Sequence, residues 1–251
     1  MATQKTTQQS ADLKREREEL RKLVESSKRV VFFGGAGVST ESGIPDFRSA
    51  QGIYNQKYPY PPETIVSHTF FVEHPDAFYE FYRQKMVFPD AQPNPCHRTL
   101  ARLEAEGIVR AVVTQNIDGL HQAAGSKNVF ELHGSIHRNH CVDCSARFGL
   151  DAVVSSAGIP RCTKCGGIIK PDVVLYEEPL DDRVVEGAID AIANADMLIV
   201  AGTSLAVYPA ASFLGFFHGD TLALVNRTET PLDERADFLS RQNIGAIMDW
   251  Q

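Results

Sequence analysis

The chain of 251 residues is 43% hydrophobic and 23% charged, a globular composition that excludes a disordered or collagen-like protein. Its 25 Lys and Arg residues against 32 Asp and Glu residues give a net charge of -7, so no basic surface for nucleic acid is indicated. Apolar stretches such as 197–202 are too short to span a bilayer, and the polar first ten residues lack the apolar core of a secretory signal. We expect a cytoplasmic protein with neither a membrane nor a nucleic-acid partner.

The first elements surround a glycine-rich turn. Residues 1–10 predict a frayed tail, residues 11–27 a charged surface helix, and residues 29–33 (RVVFF) a buried strand. The turn at 34–40 follows, with a helix expected after it, and such a turn lets the backbone approach a pyrophosphate. Thr40 stands where the third glycine of the usual pattern would be, and the acidic residue expected about 20 positions later is missing. An ordinary dehydrogenase is therefore not favoured, and a tight turn without a ligand is the alternative.

Strands and helices alternate along the rest of the chain. We predict strands at 109–114, 129–132, 197–201 and 221–225, helices at 97–106, 182–194 and 209–217, and a last apolar element at 244–248. This alternation predicts an α/β fold with a mostly parallel, Rossmann-like sheet that is covered on both faces. The predicted large domain comprises residues 11–51, 96–133 and 173–251, while a helical insertion at 52–95 and a zinc-binding module at 134–172 form a smaller domain.

Four of the five cysteines form two C-x-x-C pairs, with seventeen residues between the pairs: Cys141, Cys144, Cys162 and Cys165. This spacing is typical of a tetrahedral four-thiolate zinc site that has no open position for water. The alternatives are disulfides, which the cytosol disfavours, and a redox dithiol, which needs only one pair. We predict one structural zinc ion, so the active site must lie elsewhere. Cys96 is interpreted as a small buried helix residue.

Polar residues after three of the strands are candidate ligand contacts. Segment 43–48 (GIPDFR) could cover a cofactor, with Phe47 over a ring and Arg48 near a phosphate, or it could be a surface loop with an Asp–Arg pair. Residues 202–204 (GTS) and Asn226 follow two other strands and suit ribose and phosphate contacts, although each alone is also typical of a cap or a turn.

Segment 114–118 (TQNID) follows the strand at 109–114 and carries an amide and a carboxylate. Asn116 and Asp118 share a face if the strand geometry continues, and together they could recognise a carboxamide such as nicotinamide, or one of them could cap a helix. His133, at the end of the next strand and before a glycine, is the candidate general base. Other histidines that compete for this role are His121, His137 and His140.

The chain contains, in this order, the motifs GAGVS, GIPDFR, TQNID, His-Gly, the two C-x-x-C pairs, GTS and LVN. This series resembles the motifs of the sirtuins, NAD-dependent protein deacylases, over about residues 28–248. The resemblance implies a Rossmann-like domain with a small zinc-binding domain, and a cleft between them where NAD meets an acylated lysine of a protein. By resemblance, the NAD contacts are Ala36, Thr40, Phe47, Arg48, Gln115, Thr203, Ser204 and Asn226, and the nicotinamide pocket is lined by Asn116, Ile117 and Asp118.

The resemblance also implies the chemistry. Nicotinamide leaves NAD, the acyl group passes to ADP-ribose, and His133 acts as general base on a ribose hydroxyl, with Asn116 as the second catalytic residue. Residues 173–176, among them Val173, Val174 and Leu175, are expected to pair with the substrate peptide as an added strand opposite the segment near Val207.

Two positions depart from the family pattern. Tyr176-Glu177-Glu178 stands where sirtuins usually have Phe-Gly-Glu, which predicts a peptide cleft of altered shape. Sirtuins that prefer succinyl or malonyl groups carry Tyr-x-x-Arg, whereas this chain has Tyr82 followed by Lys85 at the arginine position. Because lysine lacks the planar fork that binds a carboxylate, we predict acetyl and other uncharged acyl groups as substrates, with desuccinylation or demalonylation as a side activity.

Three other functions are consistent with parts of the sequence. A mono-ADP-ribosyltransferase would use the same NAD chemistry with another acceptor, but it has no need of a base such as His133. A non-catalytic zinc-ribbon adaptor would release no nicotinamide, and a hydride-transferring dehydrogenase would produce NADH. We also expect a monomer.

Overall fold

The computed structural model describes residues 2–47, 49, 52, 53 and 58–250, with the backbone alone for residues 2–9. Its helices are α1 (Ala2–Ser26), α2 (Pro62–Ile65), α3 (His68–Glu73), α4 (Pro75–Lys85), α5 (Pro95–Ala105), α6 (Leu120–Ala123), α7 (Asp151–Val154), α8 (Asp182–Ala193) and α9 (Ile244–Ile247). Its strands are β1 (Val30–Gly34), β2 (Val109–Thr114), β3 (Val129–Glu131), β4 (Gly134–Cys141), β5 (Arg147–Phe148), β6 (Ile169–Val173), β7 (Met197–Ala201), β8 (Thr221–Val225) and β9 (Phe238–Ser240). Within these residues, no helix combines the length and the apolarity that crossing a bilayer requires.

The larger sheet is parallel throughout and has the strand order β3-β2-β1-β7-β8-β9. This confirms the predicted Rossmann-like α/β fold. Strand β1 lies between β2 and β7, so the chain leaves it toward one side of the sheet and later returns on the other. Such a reversal opens a crevice at the carboxyl ends of the strands. Strand β9 was not predicted, because three residues paired through their backbones to β8 carry no recognisable pattern.

Alternate side chains of the central strand enter two different cores. Val30 and Phe32 lie in one core with residues of α1, α5 and α9, while Val31 and Phe33 lie in the other with residues of α8. All four side chains are buried, because helices cover both faces of the sheet. The uninterrupted apolar run in this strand is the sequence signature of that double burial.

A second, antiparallel sheet with the order β5-β4-β6 belongs to a separate core. Helix α4 contributes the fully buried rings of Phe78, Tyr79 and Tyr82, which pack with residues such as Ile169 of β6. The Tyr79 hydroxyl donates a hydrogen bond to the carbonyl of Ile169 and so ties the helical insertion to this sheet. Both predicted insertions therefore supply one core, while their exact boundaries stay a prediction.

Three predicted elements differ from those in the structure. The predicted frayed tail is helical from Ala2 onward. Residues 2–9 contain several good helix formers and no glycine or proline, which explains the helix. No α-helix follows the glycine-rich turn in the described segment. Two short 3-10 turns, Ala36–Val38 and Thr40–Ser42, take its place and end at Gly43, whose φ of 85° is left-handed. The predicted helix at 209–217 is a 3-10 helix, Ala210–Phe216.

Two imidazoles are buried between α5 and α6. His97 and His121 are 0% and 1% exposed, and their ring centroids lie 4.6 Å apart. The backbone N–H of Asn94 donates to Nδ1 of His97, whereas Nε2 of His97 and both ring nitrogens of His121 have no partner among the described residues. Burial lowers the pKa of His97 to about 4 and the pKa of His121 well below its usual value.

We expect this pair to make the protein less stable in acid. A histidine of the unfolded chain has a pKa of about 6.5, whereas the two folded histidines stay neutral at lower pH. As the pH falls from about 6.5 toward about 4, the unfolded chain binds protons that the folded chain does not, so the free energy of unfolding decreases. Above that range this contribution to stability is fully present.

Urea denaturation at neutral and acidic pH measures this dependence. His121→Leu should weaken the loss of stability on acidification, because one of the two neutral imidazoles is gone. The same substitution at the exposed His218 is the control and should leave the pH dependence unchanged. Equal pH dependence in the wild type and His121→Leu would contradict the prediction.

Candidate active site and metal centre

A cavity of about 710 Å³ opens beyond the carboxyl ends of the parallel strands. This volume lies in the range of small-molecule and cofactor sites. The predicted catalytic, cofactor and substrate residues that line it are Ala36, Thr40, Phe47, Gln115, Asn116, Ile117, Asp118, His133, Val173, Val174, Leu175, Thr203, Ser204 and Asn226. Arg48 lies outside the described residues. The structure thus brings the other predicted residues together, and their individual roles stay predictions.

The glycine-rich turn packs against the loop that follows β7. The backbone N–H groups of Gly35 and Gly37 donate to the carbonyls of Ala201 and Gly202, at 3.1 and 2.9 Å. A Cβ atom at residue 37 would lie only 2.7 Å from the Cα of Gly202, so this position requires glycine. The close packing of these two backbones forms the floor of the cavity where Ala36 and Thr203 lie.

The hydroxyl of Ser39 joins the predicted amide and carboxylate. Nδ2 of Asn116 donates to Ser39 Oγ at 3.0 Å, and Ser39 Oγ donates to Oδ2 of Asp118 at 2.6 Å. The condition for a shared strand face is not met, because β2 ends at Thr114, and the hydroxyl of Ser39 brings the two side chains together instead. Asp118 Oδ1 also accepts the N–H of Leu120, but the N-cap of α6 is Gly119, so the alternative of a helix N-cap by Asn116 or Asp118 is wrong.

Sequence reasoning missed Ser39 as a site residue. Its side chain is 1% exposed and connects the glycine-rich turn to the segment after β2. The available signal was its position in the turn, as a small hydroxyl residue two places after the glycines. Burial raises the pKa of Asp118, and the hydrogen bonds from Ser39 and Leu120 partly offset that effect.

Four of the predicted NAD contacts also hold the loops around the cavity. Nε2 of Gln115 donates to Thr203 Oγ1 at 3.1 Å, which links the ends of two strands. The hydroxyl of Thr40 donates to the carbonyl of Gly37, and Nδ2 of Asn226 donates to the carbonyl of Thr228, each at 2.9 Å. These side chains are therefore positioned before any ligand arrives. Phe47 also lines the cavity.

His133 is held in one tautomer. Its Nδ1 lies 3.0 Å from the carbonyl oxygen of Gln115. Because a carbonyl only accepts, Nδ1 carries the proton and Nε2 keeps the lone pair that a general base uses. Burial lowers the pKa of His133, and the bond to Gln115 partly offsets that effect, so the ring is neutral at pH 7.

The glycine after His133 permits this position. Gly134 has a φ of 76°, and a Cβ atom there would lie 1.8 Å from the carbonyl oxygen of Asp172. None of the competing histidines lines the cavity. Nε2 of His137 donates to the carbonyl of Asp118 at 3.1 Å, Nδ1 of His140 bonds to the carboxylate of Asp172, and His121 is buried as described above.

The predicted peptide-binding segment runs along the wall of the cavity next to His133. The backbone N–H of Val174 donates to the carbonyl of His133 at 2.9 Å. Both backbone groups of Tyr176 are already bonded, its N–H to the carbonyl of Val66 and its carbonyl to the N–H of His68, each at 3.0 Å. The carbonyl of Val174 has no hydrogen-bond partner in the described part of the chain, so it remains available to a donor on a peptide.

The residues that correspond to Tyr-x-x-Arg do not lie side by side at the cavity. Lys85 lines it. Tyr82 does not, because its ring is fully buried and stacked on Phe78 with centroids 5.6 Å apart. The hydroxyl of Tyr82 therefore has no access to a ligand in the cavity.

The four cysteines of the C-x-x-C pairs form a compact cluster in which all sulfur atoms lie within 4.8 Å of one another. The Sγ atoms of Cys141 and Cys165 are 3.4 Å apart, and those of Cys144 and Cys162 are 3.7 Å apart. A disulfide needs about 2 Å, whereas four thiolates at about 2.3 Å from one zinc ion are about 3.8 Å apart. The donor set and its spacing therefore fit a tetrahedral zinc ion. His140 is not part of this cluster.

Fold and site together define an α/β protein with a cofactor-sized cleft at the switch point of a parallel sheet and a separate four-thiolate metal module. The model of the Sir2 family matches residues 35–209. An NAD-dependent protein deacetylase of Clostridium acetobutylicum is 57% identical over 234 residues, which cover 92% of this chain and 96% of that protein. One of Cutibacterium acnes with the same name is 52% identical over 92% of this chain and 95% of its own length.

Solved Sir2 structures have the same fold. A Sir2 complex with p53 peptide and NAD+ has a TM-score of 0.81 and 38% identity, covering 92% of this chain and 94% of that one. A complex of a Sir2 variant with deacetylated p53 peptide and 3'-O-acetyl-ADP-ribose has a TM-score of 0.84 and 38% identity, with 92% and 95% coverage. The chain belongs to the Sir2 family.

We expect Cys144→Ser to remove the metal and destabilise the small module. Three thiolates cannot complete the tetrahedral shell, and the energy of metal binding is part of the folding energy of such modules. Elemental analysis of purified protein should find one zinc ion per wild-type chain and far less in the variant, together with a lower melting temperature. Cys96→Ala is the control, since Cys96 lies outside the cluster, and it should keep its zinc. A full zinc content in Cys144→Ser would contradict the assignment.

Proposed function

We propose that this chain is an NAD-dependent protein-lysine deacetylase, which transfers the acyl group to ADP-ribose and releases nicotinamide. The observation that carries the proposal is the arrangement of His133, Asn116 and Asp118 in one cavity with the glycine-rich turn, at the switch point of the sheet. The names of the Clostridium and Cutibacterium relatives and the NAD+ and peptide complexes of Sir2 proteins support it.

The cavity residues fit NAD. The backbone contact at Gly37 leaves no room for a side chain, which suits the close approach of a diphosphate to the turn. Thr203, Ser204 and Asn226 would contact ribose and phosphate oxygens, and the pair Asn116 and Asp118 would recognise the carboxamide of nicotinamide. When bound, NAD supplies the sugar carbon that accepts the acyl oxygen and the nicotinamide that leaves.

The protein's own contribution is to position the reactants and to move one proton. Nε2 of His133 is unprotonated at pH 7 and takes the proton of a ribose hydroxyl, while the Gln115 carbonyl holds the ring in place. General-base catalysis of this kind contributes a factor of about 10² to 10⁴. The metal module stabilises the fold and takes no part in the chemistry, because four thiolates leave no open position on zinc.

The substrate is an acylated lysine of a protein, and residues Val173, Val174 and Leu175 would pair with its backbone. Pairing through main-chain groups tolerates many peptide sequences. The burial of Tyr82 and the lysine at position 85 favour acetyl and other uncharged acyl groups over acidic ones. In this proposal the protein acts in the cytoplasm as a monomer.

His133→Ala should reduce nicotinamide formation from NAD and an acetyl-lysine peptide by about 10²-fold or more, because no other described histidine lines the cavity. The affinity of the variant for NAD, measured by calorimetry, should differ little from that of the wild type. The control is His218→Ala, an exposed histidine, with activity like the wild type. Deacetylation by His133→Ala at the wild-type rate would refute the assignment of the base.

The products of the same assay separate the deacetylase from its rivals. O-acyl-ADP-ribose is expected, whereas a mono-ADP-ribosyltransferase would attach ADP-ribose to protein. An adaptor would release no nicotinamide at all, and a dehydrogenase would form NADH.

A panel of acyl-lysine peptides tests the substrate class. We expect kcat/KM to be at least about tenfold higher for acetyl-lysine than for succinyl-lysine, because the cavity does not present the Tyr-x-x-Arg pair to a carboxylate. A strong preference for the succinyl peptide would contradict this prediction. Peptides of one sequence that differ only in the acyl group provide the matched comparison.

A further inference from the structure

Two neighbouring carboxylates stand at the end of the peptide-binding segment, and the protein uses them differently. Glu177 and Glu178 both line the cavity. Glu177 has a φ of 76°, in the left-handed region that side chains other than glycine adopt rarely. Glu177 therefore holds, beside the cavity, a backbone conformation that glycine would adopt more easily.

Both oxygens of the Glu178 carboxylate are bonded to other groups of the protein. Its Oε2 accepts the N–H of Leu175 at 2.9 Å and Nζ of Lys170 at 3.0 Å, and its Oε1 lies 2.8 Å from Nδ1 of His68. Lys170 is buried and also donates to the carbonyl of Val173 at 3.1 Å. The negative charge of Glu178 is thus neutralised locally, and its function is to hold residues 173–175 in place.

The carboxylate of Glu177 keeps its charge and one free oxygen. Its Oε2 accepts both the backbone N–H and the hydroxyl of Thr69, each at 2.8 Å. Oε1 has no hydrogen-bond partner, and no lysine or arginine forms a salt bridge with Glu177, among the described residues. The two bonds from Thr69 lower the pKa of Glu177, so the group is anionic at neutral pH.

The surroundings of Glu177 are those of a site for an extended peptide. Three residues earlier, the carbonyl of Val174 is open to a donor. Tyr208, which lines the same cavity, is 76% exposed, and Tyr176 is 40% exposed. An unpartnered acceptor, two exposed aromatic rings and an anion held in place thus line one cavity. This combination suits a peptide with a cationic side chain near the residue that enters the cavity.

We infer that Glu177 is a specificity-determining residue, which favours substrates that carry a lysine or arginine beside the acylated lysine. The inference rests on the proposed deacetylase function and adds a substrate class to it. Main-chain pairing accepts many sequences, so a single oriented carboxylate supplies a charge preference that the pairing itself does not. Because the side chain is already held by Thr69, little ordering entropy is lost when a cation binds.

The test compares acetyl-lysine peptides that differ only in the flanking residues, which are arginine, alanine or glutamate. We expect wild-type kcat/KM to be about 2- to 5-fold higher for the arginine peptide than for the alanine peptide, and lower still for glutamate, at low ionic strength. The preference should shrink in about 0.5 M salt, since the ion pair is exposed.

Glu177→Gln is the decisive variant. Its amide oxygen still accepts both bonds from Thr69, so the loop is kept while the charge is lost. The ratio of kcat/KM for the arginine peptide to that for the alanine peptide should fall to about 1 in this variant. The matched control is Glu186→Gln, which removes one exposed carboxylate on α8 and should retain the preference. Glu177→Gly, which also relieves the left-handed backbone, should lose the preference in the same way.

The outcomes separate the two levels of the proposal. Turnover of all peptides with no charge preference in the wild type, or the same preference in Glu177→Gln, would overturn the role of Glu177 alone. Failure of the wild type to release nicotinamide with any peptide would overturn the proposed function and this inference with it.

Discussion

Everything at the site depends on one topological constraint, the position of β1 between β2 and β7 in a parallel sheet. Parallel strands end at the same edge, so the polar segments that follow them converge there although they are far apart in the chain. At this edge the backbones of Gly37 and Gly202 are in direct contact, which joins the glycine-rich turn to the loop after β7. The hydroxyl of Ser39 then connects the turn to Asn116 and Asp118 across it. A cavity with pre-positioned polar groups is the result.

Burial also affects which side chains at the cavity are charged. His133 is kept neutral because desolvation disfavours its charged form, and one carbonyl determines which nitrogen stays free. Desolvation also raises the pKa of Asp118, which lies in the segment after β2. In the small module, a metal held by the four cysteines would add its binding energy to the stability that the aromatic core provides. None of the four cysteines lines the cavity, so the cavity and the cysteine cluster are separate sites.

Charged side chains organise the segment at 173–178, which lines the cavity. The buried Lys170 and the half-buried Glu178 form an ion pair that holds the backbone of residues 173–175 and neutralises both charges. Glu177, one residue away, keeps its charge in a conformation that glycine would adopt more easily. The two adjacent glutamates therefore differ in backbone conformation, in exposure and in their hydrogen-bond partners.

Local patterns in the sequence were enough to determine the alternating α/β architecture, the four-cysteine cluster and the set of polar segments at the strand ends, because periodicity, spacing and glycine placement act over a few residues. Ordered motifs were enough to indicate the family. The tertiary structure decided what depends on distant neighbours: the bridge through Ser39, the tautomer of His133, the burial of Tyr82 and the contrast between Glu177 and Glu178. These are hydrogen bonds and desolvation effects between residues far apart in the chain, which no local pattern encodes. Strand β9 and the 3-10 turns after the glycines were missed for a related reason, since such short elements are held by pairing and by capping rather than by propensity.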